Sequence, residues 1–148
     1  MFSRGLVVGL VLGVATLVAA QDPHNTVEIA PAKTSIYIGN VTMTMPTFKR
    51  TEARYKSTYA ARVFPYFFYN EHGTLEINFT DEQLSRLDSG ERVEFQGRAQ
   101  SESGEARRIE GQAIPTNKTS GKIKVRVFVT AKIELIFNTT YRFTQMLP

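Results

Sequence analysis

Apolar and polar residues alternate along most of this chain. Ile36 and Ile38 lead into Val41, Met43 and Met45; Tyr55, Tyr59, Ala61 and Val63 share a second face, and Leu75, Ile77 and Phe79 a third. A repeat of two turns one side of an extended strand inward and leaves the other to water. The phase slips by one at Gly39-Asn40, which reads as a bulge bending a single strand before Pro46 ends it. Asn70-Glu71-His72-Gly73 reads as the turn between the second and third strands.

Two hairpins can be set in register. In ERVEFQGRAQ and EARRIEGQAI, placing Phe95 opposite Gly111 brings Val93 to Ala113, Gly97 to Ile109 and Ala99 to Arg107. Nearly all apolar groups then share one side, whereas a slip of one residue would mix the faces. That register needs an odd loop, with Gly104 in the left-handed conformation. The other side carries Glu94, Gln96, Arg98, Arg108, Glu110 and Gln112, a mixed-charge ribbon suited to water. Further on, Ile123, Val125, Val127 and Val129 alternate with Lys122, Lys124, Arg126 and Phe128, and the pattern resumes from Ile133 to Phe143. A hairpin with Val129 opposite Ile133 and one long bent strand both keep these residues on one face.

One helix interrupts the strands. Thr80-Asp81-Glu82-Gln83 matches a capping box, Leu84 and Leu87 fall on one face, and Gly90 closes the segment, so a short helix is expected over about 80–89. Seven or eight strands with one short helix predict an all-β fold, an antiparallel β-barrel or β-sandwich.

The aromatic run Phe64-Pro65-Tyr66-Phe67-Phe68-Tyr69 does not fit simple alternation, because both faces of an extended segment would be apolar. Pro65 places it at an edge or bulged corner. The plainest expectation is that the rings pack under the helix and close one end of the core. The functional alternative is that they line a cleft for an apolar or ring-bearing ligand. In that case Tyr59, Phe64, Tyr66, Phe68 and Phe137 are the candidate lining.

The N-terminus changes the picture of where the protein works. Arg4 precedes the apolar run Gly5 to Ala20, which ends in small residues, the layout of a secretory signal peptide cut near Ala20. Residues 21–34 read as a flexible leader with one short strand at Val27 to Ala30, and 35–148 as a single antiparallel β domain. Removing residues 1–20 takes away only Arg4 and leaves 128 residues at a net charge of +3. A chain of that size buries roughly two-thirds of its surface and can stand without staples. It has no cysteine, which favours a secreted or periplasmic protein of a bacterial envelope over an animal extracellular space. The sequons at Asn40, Asn78, Asn117 and Asn138 are read as threonine-rich strand sequence.

Candidate chemistry is sparse. Two histidines without cysteine make a poor metal inventory, no nucleophile arrangement is visible, and neither an enzyme nor a cofactor is expected. Lys122, Lys124 and Arg126, joined by Arg98, Arg107 and Arg108, are candidate contacts for phosphates, although the plainer expectation is a solvated strand face. The modest charge argues against nucleic acid. Phe128 and Ile136, on the outward side of the last strands, are candidates for docking a protein partner.

In layout, an exported cysteine-free antiparallel domain with an apolar interior resembles the small envelope proteins of the YceI-like and lipocalin-like kind. The likeness is of architecture and carries no residue-level motif. It implies a barrel holding a lipid-like small molecule, with membrane contact at most peripheral. The expected function is therefore a non-enzymatic exported protein binding a hydrophobic or amphipathic molecule. The alternative is a structural or adaptor protein docking through an apolar sheet face.

Overall fold

The computed structural model describes residues 22–144; the expected signal segment lies outside them. The strands are β1 (Thr26–Ile29), β2 (Ala32–Ile36), β3 (Gly39–Thr44), β4 (Phe48–Thr51), β5 (Arg54–Phe64), β6 (Glu71–Asn78), β7 (Val93–Ser101), β8 (Ala106–Pro115), β9 (Ser120–Phe128) and β10 (Glu134–Thr144). The one α-helix among the described residues, α1 (Asp81–Asp88), joins β6 to β7. Around its base the sheet runs β1, β4, β5, β6, β7, β8, β9, β10 and back to β1, a closed eight-stranded antiparallel barrel.

β2 and β3 continue the wall upward from β1 and β4. Val27 faces Phe48 in the lower pair and Ala32 faces Met43 in the upper one, which is a single register interrupted in the middle. Pro31 and Pro46 occupy that interruption, where neither can supply a ladder hydrogen. The bulge lies here too: Met45 to Phe48 oppose only Ser57 to Tyr59, and the Ser57 hydroxyl donates to the Pro46 carbonyl at 2.9 Å. The phase slip at Gly39-Asn40 is instead a hairpin turn. Tyr37 and Ile38 form its tip, and Gly39 takes φ +113°, a conformation that disfavours any side chain.

Other sequence-derived registers hold. Val93 pairs with Ala113, Phe95 with Gly111, Gly97 with Ile109 and Ala99 with Arg107. The complementarity is steric, since a Cβ at Gly111 would stand 2.3 Å from the Phe95 ring. The β9–β10 hairpin forms, with the Val129 amide donating to the Ile133 carbonyl at 2.9 Å. The interior receives the odd-numbered residues of β5 to β10, and Tyr59, Leu75, Phe95, Ile109 and Ile123 join one buried cluster. Apart from Arg50, Glu71 and Arg107, the charged side chains of the wall face outward, the inverse of a transmembrane barrel, whose outer band is apolar.

At the lower end α1 acts as a plug. The Thr80 hydroxyl accepts from the Gln83 amide, Gln83 accepts from the Thr80 amide, and Leu84 and Leu87 turn into the barrel. The expected flexible leader is part of this closure, so the β domain reaches back at least to Asp22. His24 is buried, its Nε2 stands 3.0 Å from the Asp88 carboxylate, and its carbonyl accepts from the Tyr55 hydroxyl at 2.6 Å. Thr26 and Val27 are buried against β10. The short strand expected at Val27 to Ala30 is β1, while the alternation gave no sign of β2, where Pro31 breaks the phase.

The upper end is open along one side. The Ala30 amide donates to the Thr140 carbonyl, and the Thr139 hydroxyl donates to the Ala30 carbonyl at 2.9 Å. Above that point β2 has β3 on one edge and no ladder to β10 on the other. Side chains fill this seam: Ala32, Val41 and Phe137 form a second buried cluster with Ile36, Val63 and Leu135 around it.

Candidate functional site

Two adjoining spaces follow from a barrel plugged below and split above. The inner one is a cavity of about 100 Å³ walled by Val27, Phe48, Ala113, Ile123 and their neighbours, which present only apolar surface to it. Above it, a cleft of about 830 Å³ opens between the β2–β3 and β9–β10 hairpins. Met43, Leu75, Ile109, Val127 and Phe137 line both, so one layer of apolar side chains separates them.

A polar cluster sits in the wall of the cleft. Glu71 opens β6 and Arg107 lies near the start of β8, both on the inward phase of their strands. Arg107 Nη2 donates to Glu71 at 2.9 Å and also to Glu105, while Nη1 donates to the Val129 carbonyl at 2.8 Å. The second Glu71 oxygen accepts from the Tyr59 hydroxyl at 2.7 Å. Burial works against the Glu71 charge, yet hydrogen bonds from Arg107 and Tyr59 and the guanidinium charge outweigh it and hold the carboxyl below its usual range. The bond to Glu71 raises Arg107 against the opposing effect of burial. Burial first, and then the bond and charge of Glu71, push the Tyr59 hydroxyl well up.

This geometry has a consequence for ligands. A guanidinium carries five N–H donors, and Arg107 Nε and one Nη1 hydrogen have no partner among the described residues. Two carboxylates already surround one cation, so a further anion gains little there. A neutral acceptor oxygen fits better.

Of the five candidate lining residues, Tyr59, Tyr66 and Phe137 border the cleft. Phe64 and Phe68 border neither space: Phe64 is on the outward phase of β5, and Phe68 belongs to a 3-10 turn (Phe67–Tyr69) joining β5 to β6. The aromatic run therefore does not pack under the helix. It forms an exposed loop at the opposite end of the barrel, and the turn expected at Asn70 to Gly73 gives way to it, since His72 and Gly73 are paired with β5.

Lys122, Lys124 and Arg126 project from the outer face of β9, as the alternation required. Lys124 and Arg126 border a shallow groove of about 590 Å³ together with Glu94 and Glu110, and Arg126 Nε lies 3.4 Å from Glu134. The face is thus charge-balanced where the sequence alone read as basic. Arg107, counted with that patch, points inward instead. Phe128 lies beneath the Arg108 guanidinium, 4.2 Å from ring centre to Cζ, and Ile136 pairs across to Arg126. Phe128 and Ile136 are diagonal neighbours on the outer face, with the paired Arg126 and Glu134 on the other diagonal. The Glu71–Arg107 pair was missed because partners 36 residues apart meet only through barrel closure. The signal was there: the hairpin register put Arg107 opposite Ala99 on the inward side.

Compared with known proteins, the chain matches no family model, no curated protein and no solved structure.

Proposed function

We propose that this chain is an exported, non-enzymatic carrier that holds an apolar or amphipathic small molecule in its barrel. The observation that carries the reading is the inner cavity, a wholly apolar space within the buried core. An engineered apolar cavity of about 150 Å³ stays dry and binds benzene. The space here, about 100 Å³, accepts a branched or short aliphatic segment rather than a whole long chain. The cleft above it has the size of an ordinary small-molecule site and takes the rest of the molecule. At its wall the free donors of Arg107 meet a neutral oxygen, such as a carbonyl, ester or hydroxyl. The ligand class is therefore an aliphatic or isoprenoid-like chain with an uncharged polar end.

The test is native mass spectrometry of protein purified from its own source against a denatured sample, repeated for Ala113→Phe. Ala113 lines the inner cavity, and a phenyl ring there occupies it. A co-purifying small molecule present in the parent and lost in Ala113→Phe is expected. A clean monomer, or a ligand retained with the cavity filled, overturns the reading.

A further inference from the structure

Large apolar side chains exposed singly need no explanation, but here they collect at one end. Tyr37 (101 % exposed) and Ile38 form the tip of the β2–β3 hairpin; Phe64, Phe67 (75 %), Phe68 and Tyr69 form the β5–β6 loop; Ile133 closes the β9–β10 loop. These loops ring the mouth of the cleft. The rings of the middle loop already pack on one another, with Phe68 and Tyr69 centroids 4.6 Å apart.

Charge marks a level behind these tips. Ser35, Asn40 and Phe64 make one row across β2, β3 and β5, and Lys33, Thr42 and Arg62 make the row two residues below. At a rise of about 3.3 Å per residue the cations stand about 7 Å behind Phe64. Neither Lys33 nor Arg62 pairs with a carboxylate among the described residues, and nor does Lys132 on the third loop. The fourth loop at this end, between β7 and β8, is acidic, with Glu102 and Glu105. Around the barrel it lies opposite the β2–β3 tip.

We propose that this rim docks on a lipid bilayer, leaning so that the β2–β3 hairpin enters deepest and the acidic loop points away. Interfacial elements bury apolar groups roughly 5–10 Å into the boundary between headgroups and chains, which places Lys33 and Arg62 at phosphate level. Tyrosine, with an apolar ring and a polar tip, suits that boundary. A second copy or another protein fits worse, because the centre of the ring is a cleft. Protein interfaces put their best-packed contacts at the centre, whereas fluid lipid can enter it. The open seam between β2 and β10 falls on the same side, so the cleft would face the acyl chains. The inference extends the carrier reading but does not depend on a ligand being held.

The test measures the full chain binding to vesicles of phosphatidylcholine, alone and with phosphatidylglycerol as the minor component. Phe64→Ser/Phe67→Ser and Tyr37→Ser are compared with the parent, so that any contribution of residues 5–20 is common to all. Phe67→Trp reports the rim itself. Expected are a blue shift of its emission, quenching by brominated acyl chains, binding weaker by roughly tenfold or more in the double variant, and tighter binding with the anionic lipid. Urea midpoints of the variants check their fold, and native mass spectrometry reads ligand retention separately, so loss of a ligand with vesicle binding intact sinks only the carrier reading. Three results overturn the proposal: no quenching at position 67, equal binding by parent and both rim variants, or a rim-dependent dimer in place of vesicle binding.

Discussion

Replacing Arg107 with Met tests whether the cleft cluster is an ion pair held inside the barrel. The substitution keeps the aliphatic bulk and removes the donors to Glu71, Glu105 and the Val129 carbonyl. Breaking a fully buried pair costs about 3–5 kcal/mol, because the remaining charge is left uncompensated, while an exposed pair is worth about 0–1 kcal/mol. The Arg107 and Glu71 side chains are 15 % and 24 % exposed, so water at the cleft replaces part of what is lost and about 2 kcal/mol is expected. Urea unfolding at pH 7 should show this as a lower midpoint at unchanged slope. In Arg107→Met/Glu71→Leu no buried charge is stranded: the Tyr59 hydroxyl, the Val129 carbonyl and the Glu105 carboxylate lose partners, and Glu105 is exposed enough for water to replace its own, so the loss should shrink to about 1 kcal/mol. The pH dependence supplies a second reading. Because Glu71 is lowered in the folded parent, its contribution is full above the unfolded carboxyl pKa of about 4.3 and is lost as pH falls through the lower folded value. In Arg107→Met burial dominates instead, protonation relieves the stranded charge, and the gap to the parent narrows towards pH 4. A double variant as unstable as the sum of its single substitutions, or a gap that does not change with pH, refutes the reasoning.

Alkaline stability follows from three buried tyrosines. Burial raises Tyr55 and Tyr59 strongly and pushes Tyr141 up to about 12. The unfolded chain releases these protons near pH 10 and the folded one holds them, so stability falls above pH 10 by up to about 1.4 kcal/mol per pH unit for each tyrosine. Tyrosinate absorbance followed with circular dichroism checks that unfolding and ionisation of these groups coincide. Thr80→Ala removes the side-chain acceptor for the Gln83 amide and should cost about 1 kcal/mol in urea unfolding. Gly73→Ala should be worse, since its Cβ would fall 2.0 Å from the Gln100 carbonyl oxygen in the adjoining strand; a midpoint within error of the parent would mean the β6–β7 ladder is looser than the structure shows.

What was legible in the sequence was whatever local chemistry dictates. The β7–β8 register could be derived because only one alignment sets Phe95 against a residue without a side chain, and α1 because a capping box satisfies its own amides within four residues. The β2–β3 hairpin was missed for the opposite reason. Its tip is Tyr37-Ile38 where turns ordinarily carry Asn, Asp or Gly, so Gly39 read as a bulge in a continuing strand. The aromatic loop misled in the same way, since five rings in six residues look like core until the strands on either side are seen to pair with each other and leave them outside. Both errors fall on the residues that rim the cleft. Local rules fail where apolar side chains occupy positions that folding alone would give to polar ones.

The two prolines connect these features. Pro31 and Pro46 both lie in the stretch where the pairing of these adjacent wall strands is interrupted, and neither can donate to the ladder. Below that stretch β1 completes the ring with β10; above it β2 leaves β10, and its edge is covered only by Ala32, Val41, Phe137 and their neighbours. Among the described residues the lower end is closed by α1, with His24 on Asp88 and Arg50 on Asp81. On the proposed carrier reading, a molecule would reach the apolar cavity past the layer of Met43, Leu75, Ile109, Val127 and Phe137 that borders the cleft above. That route begins among Tyr37, Ile38 and Ile133, the side chains with least reason to face water. Closure at one end and an interrupted ladder in two strands thus put the cleft, the polar cluster and the exposed apolar rim at the same end of the barrel.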